Sequence, residues 1–183
     1  MANATTEAPK NIGKPAVTPA TGETRQFDPR HELAFWKPNQ SKKGTAALFQ
    51  FQPKKGEKEA SFWLNIVPES GNENGPKFNQ DGKLTAKLGM TDIGELLACL
   101  SGRNGGLGRL KDGKWSGLYH QNANGNTVIK LDPNESNQGH YYLSVSVKKE
   151  GGNEGRLSIS LTPSDQELLM VFFRTYLPQM FLS

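Results

Sequence analysis

The sequence has a single cysteine, Cys99, and no apolar run that approaches the ~20 residues of a membrane-spanning helix. One cysteine excludes a disulfide framework, and it excludes a zinc site built from several thiolates. The start of the chain has no basic segment followed by an apolar stretch, so we expect no secretory signal, and its acidic residues argue against an organelle transit peptide. These absences predict a cytoplasmic protein that does not insert into membranes.

Hydrophobic residues make up only 34% of the 183 residues, which indicates that part of the chain lies outside a packed core. Residues 1–30 are rich in Ala, Thr, Pro, Asn and Gly, so we predict a disordered tail there and a single domain over 31–183. The net charge of +4 comes entirely from residues 1–60, which contain ten basic and six acidic residues. A basic patch formed by these residues can attract polyanions. The alternative is that the lysines are ordinary solvent-exposed residues with no binding role.

Alternation of apolar and polar residues predicts seven strands, at 45–52, 60–67, 83–88, 117–121, 127–131, 140–148 and 156–161. Apolar residues at spacings of three and four predict a helix over 91–100, with Thr91 as a possible cap. A second helix begins after Thr162 as N-cap, with Pro163 first and Asp165 three residues beyond the cap, and Pro178 disturbs or ends it. Residues 69–77 are polar and are predicted as a loop.

This order predicts an α+β fold with two antiparallel sheets of about four strands, each followed by a helix. One face of each sheet packs on a helix, and serines and lysines line the other face. The glycine-rich segment 102–113 lacks a phosphate-loop motif, follows a helix and precedes a strand, so we interpret it as a linker. No nucleophile elbow or ligand cluster is present. We therefore expect a binding protein without cofactor or metal, not an enzyme, and Cys99 as a core residue.

Five segments of the chain share a pattern with one known family, in the right order and spacing between residues 35 and 182. They are Lys43–Ala47, Leu118–His120, Lys130–Pro133, Gly139–Val145 and Tyr176–Pro178. They stand where that family has a Lys-Gly-Lys-Ala-Ala strand start, a Phe-Phe-His segment, an acidic-Pro turn, a Gly-aromatic-aromatic strand and a Leu-Pro helix end. The chain thus resembles the Whirly family of single-stranded DNA-binding proteins, whose fold is related to that of single-strand-binding transcription coactivators.

The resemblance implies a sequence-independent single-stranded DNA-binding protein that acts in replication, recombination or repair. RNA binding or annealing is an alternative, because mitochondrial RNA-matchmaker proteins share this fold. A transcription-regulatory interaction protein, whose sheets serve assembly, is a third interpretation. The plant members' acidic-aromatic tail is absent, which favours a bacterial or phage member, and Thr45 replaces a lysine that the family uses in assembly beyond the tetramer.

Binding of single strands without a sequence code needs aromatic rings for bases and cations for phosphates. Our candidates for these roles are Lys43, Trp63, Lys83, Lys87, Trp115, Tyr119, His120, Lys130, Tyr142 and Lys148. For each aromatic ring ordinary packing is the alternative, and for each lysine plain solvent exposure. The C-terminal helix is apolar almost all round, which predicts a homotetramer, or else a dimer, through Phe172, Phe173 and Tyr176.

Overall fold

The computed structural model describes residues 31–41, 43–72, 75–122, 125–149 and 154–182. Sheet one contains β1 (Glu32–Lys37), β2 (Thr45–Gln52), β3 (Ser61–Asn72), β4 (Gly75–Phe78) and β5 (Leu84–Leu88). Helix α1 (Met90–Leu100) and a small hairpin of β6 (Leu110–Lys111) and β7 (Lys114–Trp115) follow. Sheet two contains β8 (Leu118–Asn122), β9 (Gly125–Pro133), β10 (Tyr141–Lys149) and β11 (Glu154–Leu161), and helix α2 (Pro163–Phe181) comes last. The predicted α+β class is confirmed.

All ladders in the two sheets are antiparallel. Strands β1, β2, β3 and β5 lie side by side, with β4 paired to the far end of β3, and sheet two has the order β11-β10-β9-β8. Because side chains alternate along a strand, each sheet has one apolar face and one more polar face. We call these the inner and outer faces.

The inner faces and both helices form one hydrophobic core, which includes Phe49, Phe62, Leu143 and Ile159. Edge strand β11 contacts β2, β3 and β5 of sheet one. There the Thr45 hydroxyl donates a hydrogen bond of 2.7 Å to the carbonyl oxygen of Ser158. The two sheets are therefore packed directly on each other.

Helix α2 begins where the sequence predicts. The Thr162 hydroxyl accepts a hydrogen bond from the backbone N–H of Asp165, and the Asp165 carboxylate accepts one from the backbone N–H of Thr162. This reciprocal capping satisfies backbone donors that the first turn leaves unpaired. Of the two alternatives predicted for Pro178, the end of the helix is wrong, because α2 runs through Pro178 to Phe181. Pro178 and Arg174, whose carbonyl loses its helical partner, are both exposed, so water can satisfy that oxygen.

Three other predictions require correction. Residues 69–77 are not a loop, because β3 extends to Asn72 and pairs with β4, where the Phe78 ring packs edge-on against Trp36 at 5.0 Å. Helix α1 is capped from Gly89, whose N–H donates to the Asp92 carboxylate, and not from Thr91. The segment 102–113, predicted as a linker, includes strand β6, which pairs with β7 directly after the segment.

The predicted tail, residues 1–30, lies outside the described residues. Strand β1 was not predicted at all, although Glu32–Lys37 pairs along its full length with β2. Within the ranges described above, no helix is long and apolar enough to cross a membrane.

Candidate nucleic-acid interface

The outer face of sheet two gathers four of the predicted residues, Tyr119, Lys130, Tyr142 and Lys148. The strand register sets Tyr119, Val128, Ser146 and Arg156 in one row across the four strands. Neighbouring rows on the same face are Asn126–Lys148–Glu154, Lys130–Ser144–Ser158 and Asp132–Tyr142–Ser160. Two tyrosines and three cations therefore share one surface.

Both tyrosines on this face are accessible. Tyr119 is 59% exposed and Tyr142 is 43% exposed, which is unusual for large rings in a small domain. Neither ring packs against another aromatic ring of the described residues. Such rings can stack on nucleic-acid bases, with a contribution of ~1–3 kcal/mol for each base.

The cations on this face are not equivalent. Lys148 is paired with Glu154 at 3.0 Å, and both side chains are well exposed, so the pair is weak and can open to admit a phosphate. Arg156 is exposed and makes no ion pair with the described residues. It lies beside a shallow depression of ≈ 540 Å³ whose lining also includes Tyr119, Asn126, Ser146 and Lys148. The depression has both stacking and charged groups at its rim.

Arg156 was missed by the sequence reasoning, although the signal was present. In β11 the residues Arg156, Ser158 and Ser160 alternate with inward-facing Leu157, Ile159 and Leu161. Extending the polar row by one residue would have placed Arg156 on the same face of the sheet as Ser158 and Ser160. Asn126 and Ser146 were likewise hidden, because their relation to Tyr119 depends on the register of β8, β9 and β10.

The outer face of sheet one carries the predicted residue Trp63, which is less exposed than the two tyrosines of sheet two. Trp63 lies between Gln50 on β2 and Lys87 on β5, and it is only partly exposed. Its indole Nε1 is buried and has no hydrogen-bond partner among the described residues. Further along this face Trp36 and Phe78 pack together. Trp63 and Lys87 are therefore neighbours, as an interface requires, but they lie on a different sheet from the two tyrosines.

Four predicted residues lie apart from both outer faces. Lys43 is in the β1–β2 loop, and Lys83 is exposed just before β5. Trp115 packs against Gly106, where a side chain would overlap its ring. His120 is on the inner side of β8, with Nε2 at 3.4 Å from the Asp92 carboxylate of α1; this is an ion-pair distance without hydrogen-bond geometry. The position of His120 favours a structural role.

The predicted contact residues of α2 pack against the core of their own chain. Phe173 is fully buried, with its ring 5.7 Å from that of Phe49 and 5.4 Å from that of Phe62, so its assignment to a subunit interface is wrong. Tyr176 stacks on Phe51 at 4.8 Å, and Phe172 contacts Phe62. The hydrophobic core needs these rings to cover sheet one. The exposed apolar residues at this end of the chain are Leu168, Val171, Phe181 and Leu182.

No protein-family model matches the chain, and no curated protein matches it. Solved structures do. The plant transcriptional regulator PBF-2 superposes with a TM-score of 0.60 at 17% identity, over 82% of this chain and 81% of that chain. WHY1 from Arabidopsis thaliana gives 0.60 at 18% identity, over 81% and 89%. The fold is Whirly-like. A third similar structure is a guide-RNA-binding protein complex bound to a guide RNA, with a TM-score of 0.57 at 11% identity, over 84% of this chain and 92% of that chain.

Proposed function

We propose that this Whirly-like chain binds single-stranded DNA without sequence specificity, in replication, recombination or repair. The observation that carries the proposal is the outer face of sheet two, where exposed Tyr119 and Tyr142 lie among Lys130, Lys148 and Arg156. Stacking tolerates any base because every base has a π-face, and cations attract every phosphate. The surface therefore suits a strand of any sequence.

The distribution of charge favours single strands over duplex. Sequence reading of a duplex commonly uses a basic helix that enters the major groove. The exposed side of α2 instead carries Leu168, Val171 and Phe181, and α1 contributes Ile93 and Leu96 to the core. The groups suited to nucleic acid lie on sheets, where unstacked bases can reach the rings.

RNA is the second candidate ligand, and one comparison favours it. The chain shares its fold with a guide-RNA-binding protein complex. Ser146, Ser158 and Ser160 add hydroxyl groups to the outer face of sheet two, and a hydroxyl can bond to a phosphate or to a ribose 2′-hydroxyl. The same surface could therefore hold either polymer.

We further propose that the chain assembles as a homotetramer, with a dimer as second choice. Leu168, Val171 and Pro178 follow spacings of three and seven on the exposed side of α2, and Leu182 continues the row. This pattern resembles the seam of a pair of packed helices. A row of this kind exposed to water is unfavourable, and a second copy of α2 would cover it.

Polarisation titrations with matched single-stranded DNA, single-stranded RNA and duplex DNA test the proposal. We expect the tightest binding to single-stranded DNA of mixed sequence, with an affinity that falls steeply as salt increases. Arg156→Gln should weaken binding, and Lys77→Gln, at an exposed lysine on β4, is the charge-matched control. Equal affinity for duplex of the same length would contradict the preference for single strands, and tighter binding of RNA would favour the second candidate.

A further inference from the structure

The hairpin of β6 and β7 presents three cations on one face. Strand alternation and the pairing of Lys111 with Lys114 put Arg109, Lys111 and Lys114 on the same side of the ribbon, with Leu110 and Trp115 on the other side. All three cations are exposed, and none makes an ion pair with the described part of the chain. The only acidic residue in the hairpin is Asp112, at its tip.

The hairpin has regular secondary structure and is not an irregular linker. Its turn uses Asp112 at φ 51° and Gly113 at φ 73°, the left-handed pair of a type I′ turn that matches the twist of a two-residue hairpin. On its apolar side the Trp115 ring lies on the backbone of Gly106, where a Cβ would overlap it. The cationic side of the hairpin therefore faces away from Gly106 and toward solvent.

The base of the hairpin is pinned at several points. The Glu95 carboxylate of α1 accepts the Gly108 N–H at 2.8 Å, and the Ser116 hydroxyl accepts the Arg109 N–H at 3.0 Å. The Gly117 N–H donates to the carbonyl oxygen of Leu107, which is buried. Because these bonds already fix the hairpin, a ligand does not have to supply the free energy of ordering it.

The base of the hairpin also adjoins the outer face of sheet two. A Cβ on Gly117 would lie 2.8 Å from Cγ of Lys130 and 2.9 Å from Cγ1 of Val128, and both of these side chains belong to that face. Trp115 and Tyr119 are four residues apart, which limits their separation to ~14 Å. A single-stranded nucleic acid that leaves the outer face across β8, the edge of sheet two, would therefore reach the hairpin next.

We propose that this cationic hairpin is a second contact for the nucleic-acid backbone, which extends the track of sheet two beyond β8. It holds phosphates of a single strand whose bases stack on Tyr119 and Tyr142. The inference rests on the proposed function, because it needs a strand on that face. Packing requires several glycines of this segment, but it does not require the charges of Arg109, Lys111 and Lys114, and contact with phosphates gives these charges a role.

The triple substitution R109Q/K111Q/K114Q tests the inference, because it removes the charges and keeps the Asp112-Gly113 turn. Binding to oligothymidylates of about 6, 12 and 24 nucleotides, a range around the usual sites of single-strand-binding folds, is measured across a salt series. Each phosphate neutralised on a single strand contributes ~0.7 to the slope of log K against log salt, so the slope should fall by about 2 on the longest oligomer. On the shortest oligomer it should be unchanged.

Two further variants separate the site from general charge. K54Q/K55Q/K58Q removes three exposed lysines from the β2–β3 turn and should keep the wild-type slope at every length. R109K/K111R/K114R keeps the charges and should restore the slope. If the wild type binds but the triple substitution leaves the salt slope unchanged at every oligomer length, the hairpin contact alone is overturned. The same holds if K54Q/K55Q/K58Q lowers the slope by an equal amount. Failure of the wild type to bind any oligomer would overturn the proposed function, and the hairpin contact with it.

Discussion

Lys37, at the end of β1, donates a hydrogen bond of 2.7 Å from its ammonium group to the Asp165 carboxylate in the first turn of α2. The same carboxylate accepts the backbone N–H and the hydroxyl of Thr162. One acidic side chain thus caps the last helix and ties it to the edge of sheet one. Burial by itself would raise the pKa of Asp165, but the bonds from Lys37 and Thr162 and the Lys37 charge outweigh it, and the pKa is lowered.

The lowered pKa of Asp165 predicts acid sensitivity. A carboxyl whose pKa is depressed on folding stabilises the protein above its unfolded-state pKa, near 3.8, and that contribution is lost as the pH falls through the folded-state value. Lys37→Met should reduce the free energy of unfolding at neutral pH by about 1 kcal/mol. The difference from wild type should shrink below about pH 4. Urea unfolding at several pH values measures it, with Lys77→Met as control; a difference independent of pH would contradict the assignment.

Removal of one exposed ring should weaken binding without unfolding the protein. Tyr142→Ala should lower the affinity for single-stranded DNA roughly 5- to 150-fold, which corresponds to ~1–3 kcal/mol of stacking. Tyr142→Phe keeps the ring and should bind nearly as wild type. Polarisation titrations measure the affinities and thermal melting checks the fold. A large fall in melting temperature for the alanine variant would mean that Tyr142 is a packing residue.

The two sides of α2 should respond differently to substitution. Phe173→Ala opens a cavity in the core and should cost ~3–5 kcal/mol of folding stability. Val171→Lys replaces an exposed side chain, so each subunit should stay folded while the assembly dissociates. Light scattering and denaturant unfolding distinguish the two effects. A wild-type mass equal to that of one chain at micromolar concentration would contradict the proposed assembly.

Cys99 should be unreactive in the folded protein. Burial, assisted by the negative charge of Asp132, raises the pKa of its thiol to about 11, so little thiolate exists at neutral pH. A thiol reagent such as Ellman's should not modify the native protein and should react fully once the chain is unfolded in denaturant. Rapid reaction of the native protein would show that α1 opens readily.

Local patterns in the sequence were sufficient for the fold class and for most elements. Alternation identified β2, β5 and β8 to β11, and Thr162 with Asp165 located the start of α2. These signals are carried by residues close together in the chain. The β3–β4 pairing was missed because residues 69–77 are polar and lack the alternation of apolar and polar residues that marks the other strands.

The candidate site could be predicted only in part from the sequence, because strand pairing brings together residues that are far apart in the chain. Tyr142 could be recognised as an aromatic residue on the polar face of its strand, but the placement of Tyr119 and Arg156 in one row follows from the register of four strands. The inward position of Phe173 was obscured because α2 is apolar on both sides. Periodicity does not say which side faces the subunit's own sheet and which side remains free.

Helix α2 is apolar on two sides, one against the core of its own chain and one exposed. Leu169, Met170 and Phe173 are already covered inside one subunit, so their burial does not depend on a neighbouring copy. Separation of two subunits would therefore expose to water only the row of Leu168, Val171, Pro178 and Leu182 and would leave each core intact. Subunits with such helices can exchange between assemblies without unfolding, and mixed assemblies of wild-type and substituted chains should form spontaneously in solution.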